Sequence, residues 1–134
     1  MTDRKKRIVD YSDRETIIQS DTFDSSMYII LEGEVEISLK KGDKKVVLAV
    51  LKEKDFFGEI SLFTKIPRSA TATARGFVRL TYLKNVGELE RFLDKNPKFA
   101  IGMVKTLASR LARTDELFKK EMSSQPNYAN VLYS

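Results

Sequence analysis

The hydrophobic period of this chain changes once, near Asn85, and that switch constrains the fold more than any other feature. Before it, apolar residues come in short runs or alternate singly with polar ones, as Val35, Ile37 and Leu39 do against Glu34, Glu36 and Ser38. Period-two alternation turns one face of an extended chain to a core and the other to water, so these runs predict β-strands. They fall at Thr16 to Gln19, Met27 to Leu31, Val35 to Leu39, Val46 to Leu51, Ala70 to Ala74 and Val78 to Leu83. Turns are predicted at Gly33, at Lys41, Gly42 and Asp43, and at Arg75 and Gly76. Many short strands with regular turns point to a sandwich or roll. After the switch the spacing is helical. Asn85 is placed to cap a short helix ending near Leu93, and Asn96 followed by Pro97 starts a long one. On the long helix, Ile101, Val104, Leu107, Ala108, Leu111, Leu117 and Phe118 trace an apolar stripe. It reads equally as packing on the roll or as a dimer seam.

With 134 residues, 42% of them hydrophobic, the chain can bury one proper core. It contains neither cysteine nor histidine, which removes disulfides, thiolate and imidazole metal ligands and the commonest general base. A binding module is expected rather than an enzyme, with no metal. The formal net charge of +5 gathers at Arg4, Lys5, Lys6 and Arg7 and along the helix at Lys105, Arg110, Arg113, Lys119 and Lys120. These read as solvated faces, so direct nucleic-acid binding is not expected. The N-terminal MTDRKKRIVDY lacks a signal-peptide core and no run approaches a membrane span, so a cytoplasmic location is expected. Glu32, Glu34 and Glu36 share one strand face, and like charges there read as a wet outer face rather than a catalytic cluster.

The segment FGEISLFTKIPRSATATA, from Phe57 to Ala74, carries the chemistry. Gly58 lets backbone amides approach an anion without a Cβ in the way, and the helical turn after it leaves N–H groups free to donate. A carboxylate at the same turn, Glu59, suits a hydroxyl that donates to it. Arg68 supplies a planar fork of donors matched to phosphate oxygens, and Pro67 restricts the chain leading into it. A ligand with phosphate and hydroxyls together fits this set. The bland alternative is that Glu59 and Arg68 pair and staple a loop to the roll. Against it stands the cost of burying such groups without partners, several kcal/mol.

These residues resemble the phosphate-binding cassette of the cyclic nucleotide-binding domain family, found in catabolite-activator-type regulators and protein kinase regulatory subunits. The match runs through Phe57, Gly58, Glu59, Ser61, Leu62, Pro67, Arg68, Ser69 and Ala70, and the strand run MYIILEGEVEIS around Gly33 is similar too. The likeness extends from about Arg14 to about Leu117. It implies a fold that is mainly β with C-terminal α: an antiparallel β-roll of jelly-roll, double-stranded β-helix-like form, with a short cassette helix and a long C-terminal helix. By the same resemblance, Arg68 neutralises a cyclic phosphate and Glu59 holds the ribose 2′-hydroxyl. The amides after Gly58, at Ile60 and Ser61, complete the anion site, and Ser69 adds a phosphate or base contact. Thr114, in SRLARTDE, matches the position that meets the adenine, with Arg110 one helical turn earlier; Ile37, Leu48 and Leu51 would line the pocket. The implied ligand is cyclic AMP, with cyclic GMP second. Binding would shift the C-terminal helices toward a closed state, and a homodimer through the long helix is a candidate assembly. The alternative is a β-roll without ligand, used for dimerisation or protein interaction.

The expected organisation is a basic N-terminal segment at 1–13, the roll at 14–84 with the cassette at 57–74, the helices at 85–122 and a flexible tail at 123–134. Two departures from the family pattern stand out. Gln19, Ser20 and Asp21 replace the usual Glu-Gly-Asp turn, and no output module is read after the long helix, so the chain is expected to be either a stand-alone sensor or a piece of a larger protein.

Overall fold

A computed structural model describes residues 7–122; the cluster Arg4 to Lys6 and the tail expected at 123–134 lie outside the described residues. All strands are antiparallel in one six-stranded sheet, ordered β1 (Ile8–Tyr11), β6 (Thr71–Leu83), β3 (Met27–Lys41), β4 (Lys44–Leu51). The short β2 (Thr16–Ile18) pairs with β6, and β5 (Phe56–Phe57) pairs with β3. Helix α1 (Glu59–Thr64) interrupts the strands, and α2 (Val86–Lys95) and α3 (Pro97–Glu121) follow them. This is the expected β-roll with its short and long helices.

Alternation sets which side of the sheet is dry. Val35 pairs with Ala74 and Ile37 with Ala72, so that branched chains on β3 sit opposite small ones on β6. Ile18, Ile30, Phe57, Val78 and Leu80 complete the core around them. Burying each such side chain contributes roughly 1.5 to 3 kcal/mol.

Two predicted turns are corrected. The chain does not reverse at Gly33 or at Arg75 and Gly76; it bends there inside the continuous strands β3 and β6. Glu32 pairs with Arg79 and Glu34 with Arg75, so β6 carries the extra residues of a bulge across from Gly33. Gly33 has φ +95°, and a Cβ there would fall on the carbonyl oxygen of Phe77 and lie 3.1 Å from Val78 Cα. Glycine is required for this close crossing. The turn at Gly42 and Asp43 forms as predicted, between β3 and β4.

The wet face expected for Glu32, Glu34 and Glu36 is corrected at Glu36, which is 7% exposed. Lys45 Nζ reaches its Oε2 at 2.6 Å and Arg75 Nε its Oε1 at 3.6 Å. These two cations offset the charge of the buried carboxylate.

The chain divides into two compact units, Met1–Phe92 and Leu93–Ser134, and the division falls within α2. Asn85 caps α2 as predicted, its Oδ1 accepting the Glu88 N–H at 2.9 Å, while Glu88 Oε1 accepts from Lys84 N at 2.7 Å. One orphan amide of the helix is thereby satisfied, and the chain leading into it is tied to its first turn. In the second unit, Pro97 opens α3 and Asn96 makes no side-chain cap bond, contributing its carbonyl to Ala100 N instead. On α3, Ile101, Val104, Leu111 and Leu117 are all exposed. No helix among the described residues is long and apolar enough to cross a membrane.

Candidate functional site

Strand β5 delivers the chain to the site. Phe57 pairs with Tyr28 on β3, and the two rings stack 5.2 Å apart. At Gly58 the backbone turns left-handed, φ +88°, and starts α1. A Cβ on Gly58 would lie 2.8 Å from the Ser26 carbonyl oxygen and 3.0 Å from Arg68 Nη1. Three separate stretches of chain meet at this point, and only glycine leaves room for them.

Helix α1 buries Glu59, Ser61 and Leu62. It stops at Lys65, whose left-handed φ of 62° lets its N–H donate back to Ser61 O at 2.9 Å. Ser61 Oγ donates to Ile66 O at 2.7 Å, so this hydroxyl holds the end of the helix to the loop. Beyond Pro67, the backbone of Arg68 is tied to the loop before β3: Arg68 N–H donates to Thr22 O at 2.9 Å and Asp21 N–H to Arg68 O at 2.7 Å. The turn that lacks the family's glycine is made by Asp21 at φ 66°, a conformation aspartate tolerates better than most residues.

Arg68 is 4% exposed. Its Nη1 donates to Gly58 O at 2.9 Å, its Nη2 donates to Ser26 O, and the same Nη2 lies 3.3 Å from Asp24 Oδ2. Its Nε is buried and has no acceptor. Such an unmatched donor costs about 1 to 3 kcal/mol, and more on a charged group. An oxyanion from outside the protein would satisfy it.

Asp24 accepts the Ser26 N–H at 3.1 Å, and the Tyr28 hydroxyl approaches it at 3.4 Å. Partial burial works to raise the Asp24 carboxyl, but the Ser26 hydrogen bond and the Arg68 guanidinium outweigh it and leave its pKa below the ordinary value. Burial, and then the Asp24 carboxylate, push the Tyr28 phenol up, so it stays a proton donor.

The remaining expected residues are spread more widely. Ile60 and Ser69 are exposed at the cassette surface. Ile37 and Leu51 pack against the core. Leu48 is 52% exposed at a β4 irregularity, where Ile37 pairs with Ala49 and Ser38 with Val47. Thr114 lies on α3, its hydroxyl donating to Arg110 O at 2.9 Å. Phe23, Asp24, Ser25, Ser61, Lys65 and Ile66 line a cleft of ≈ 200 Å³ that does not include Glu59 or Arg68. No group of acidic residues among the described ones could hold a metal ion.

Asp24 and Ser26 were absent from the residues expected from sequence. The acidic residue two positions before Ser26 is the mark of a side-chain turn and could have drawn attention to Asp24. A backbone carbonyl such as that of Ser26 leaves no such mark.

Comparison with known proteins gives a consistent picture. The family model described as the cyclic nucleotide-binding domain matches residues 8–96. A CRP-like cAMP-activated global transcriptional regulator of Mycobacterium tuberculosis is 29% identical over 108 residues, covering 80% of this chain and 48% of the regulator. A cAMP-dependent protein kinase regulatory subunit of Yarrowia lipolytica is 40% identical over 62 residues, covering 46% of this chain and 16% of the subunit. The chain thus spans about half the length of the first relative and far less of the second. In fold, it resembles the catabolite activator protein of Thermus thermophilus, with a TM-score of 0.73 at 24% identity, over 85% of this chain and 54% of that one.

Proposed function

Since the chain belongs to the cyclic nucleotide-binding domain family, we propose that its cassette binds a cyclic purine mononucleotide, cyclic AMP in preference to cyclic GMP. The observation that carries this reading is the buried Nε–H of Arg68, a charged donor with no acceptor beside the left-handed turn at Gly58. A cyclic phosphate there would take a charge-assisted hydrogen bond, worth about 1.5 to 3 kcal/mol. Glu59 then accepts from the ribose 2′-hydroxyl, the amides of Ile60 and Ser61 complete the anion site, and Ser69 contributes a hydroxyl to phosphate or base. Thr114, with Arg110, is the proposed base contact. The preference for cyclic AMP is supported by the names of the two relatives, one activated by and one dependent on that nucleotide.

The module is a cytoplasmic sensor in this reading, and its output is a change in the C-terminal helices. The exposed Ile101, Val104, Leu111 and Leu117 favour a second reading in which α3 also forms a homodimer. Sedimentation of wild type beside Leu111→Glu measures that part, and a monomer in both rejects it.

Isothermal calorimetry with cyclic AMP, cyclic GMP and cyclic dinucleotides tests the main reading. Saturable heat with cyclic AMP, lost in Arg68→Ala, is expected. Absence of heat with every nucleotide would instead identify Arg68 as a staple of the loop.

A further inference from the structure

The hairpin of β3 and β4 runs past the rest of the roll. The last pairing of β3 with β6 is Ser38 with Thr71, and beyond it β3 has β4 alone: Leu39 pairs with Val46, Lys40 with Lys45 and Lys41 with Lys44, around the turn at Gly42 and Asp43. Every residue from Leu39 to Leu48 is exposed. Residues 40–45 hold four lysines against one carboxylate, that of Asp43. Lys45 is paired with Glu36 at 2.6 Å, whereas Lys40, Lys41 and Lys44 make no ion pair among the described residues. Opposed residues share a face and faces alternate along a strand, so Leu39, Val46, Lys41 and Lys44 lie on one side of the ribbon. We propose that this side is a docking surface for the anionic headgroup layer of a lipid membrane.

Neither folding nor edge protection accounts for the composition of the ribbon. Like charges directly opposite one another are destabilising, and Lys41 faces Lys44 as Lys40 faces Lys45. Lysines do guard a free sheet edge against pairing with another chain, but that role does not ask for Leu39, Val46, Val47 and Leu48 exposed beside them. A membrane surface uses both kinds of side chain at once. Laid against it, Leu39 and Val46 enter the boundary between headgroups and acyl chains, while the long stems of Lys41 and Lys44 let their ammonium groups reach anionic headgroups. Lys40, on the other side, adds attraction at longer range. A nucleic acid fits less well. Residues 38–51 contain no arginine, asparagine, glutamine or aromatic ring to read bases or stack on them, and a phosphodiester backbone offers the apolar pair nothing.

Vesicle sedimentation of the whole chain tests this, with phosphatidylcholine alone and in a seven-to-three mixture with phosphatidylserine. Binding is expected to the mixed vesicles only, and should weaken at least fivefold from low to physiological ionic strength. Lys41→Glu with Lys44→Glu should lower it at least tenfold. The same reversal of charge in the N-terminal basic cluster, Lys5→Glu with Lys6→Glu, should leave it within twofold of wild type. Leu39→Ser with Val46→Ser should lower it at least threefold while keeping the salt dependence, with far-UV dichroism and thermal midpoint of every variant unchanged. No binding to mixed vesicles overturns the proposal, as does an equal loss in the N-terminal variant or no loss in the serine variant. Retention of duplex DNA that depends on Lys41 and Lys44, without vesicle binding, overturns it in favour of a nucleic-acid partner.

Discussion

Arg68 joins the chemistry of this chain to its architecture, because its side chain bonds the carbonyls of Gly58 and Ser26 and its backbone bonds Thr22 and Asp21. Lysine can carry the charge, but its three donors sit on one nitrogen and cannot reach acceptors spread around a planar fork. Arg68→Lys is therefore expected to weaken cyclic AMP binding tenfold or more in calorimetry, with the fold retained. Gly58→Ala should do comparable damage by another route. Its methyl would press on Ser26 O and Arg68 Nη1 at a left-handed φ, at a cost of about 1 to 3 kcal/mol in denaturant unfolding besides the lost affinity. Asp24 gives an acid-side signature. Its folded pKa is depressed, so ionised Asp24 contributes stability above the unfolded value of about 4, and that contribution disappears as pH falls through the folded value. Between pH 5 and 3, the denaturation midpoint of wild type should fall faster than that of Asp24→Asn. Gly58, Glu59 and Arg68 were legible in the sequence because the side-chain type is itself the signal. The acceptors around Arg68 were not, since two of the three are backbone atoms that any residue could supply.

Among the elements, β3 and β6 show where sequence reading stops. A glycine between two apolar runs announces a break in regular backbone, and the announcement is the same for a hairpin and for a bulge. Which one forms depends on the partner strand: β6 stays paired with β3 on both sides of Gly33, from Ile30 with Leu80 to Glu34 with Arg75, so the chain bends and does not reverse. Gly33→Ala should then cost more than about 2 kcal/mol, from strain at positive φ together with a clash against rigid backbone. Thermal unfolding measures it, and a loss below about 0.5 kcal/mol would contradict the bulge geometry. Glu36 went unrecognised as a buried group for a related reason. Alternation separates it from the core residue Val35, but the cations that pair with it, Lys45 and Arg75, come from the neighbouring strands β4 and β6. Asn85, by contrast, was legible because capping is local. Asn85→Ala should remove about 1 kcal/mol.

For the whole molecule, the sequence conveyed the switch from strands to two C-terminal helices, but it missed β1 and β5 and split β3 and β6 in two, and the pairing of the strands came only from the structure. That pairing is long-range: Ser38 lies beside Thr71 and Met27 beside Leu83, so the partner strands are joined through a loop that contains β4, β5, α1 and Arg68. Sheets built from such distant partners fold slowly, commonly in milliseconds to seconds, because chain entropy is spent before any contact returns it. The cassette acquires its shape only when this loop closes. A nucleotide bound as proposed would find nothing to hold during the search, and would recognise the protein only after the rate-limiting step. In stopped-flow experiments, saturating cyclic AMP should leave the refolding rate unchanged and slow unfolding alone, which makes the ligand a brake on the loss of the fold and no help in reaching it.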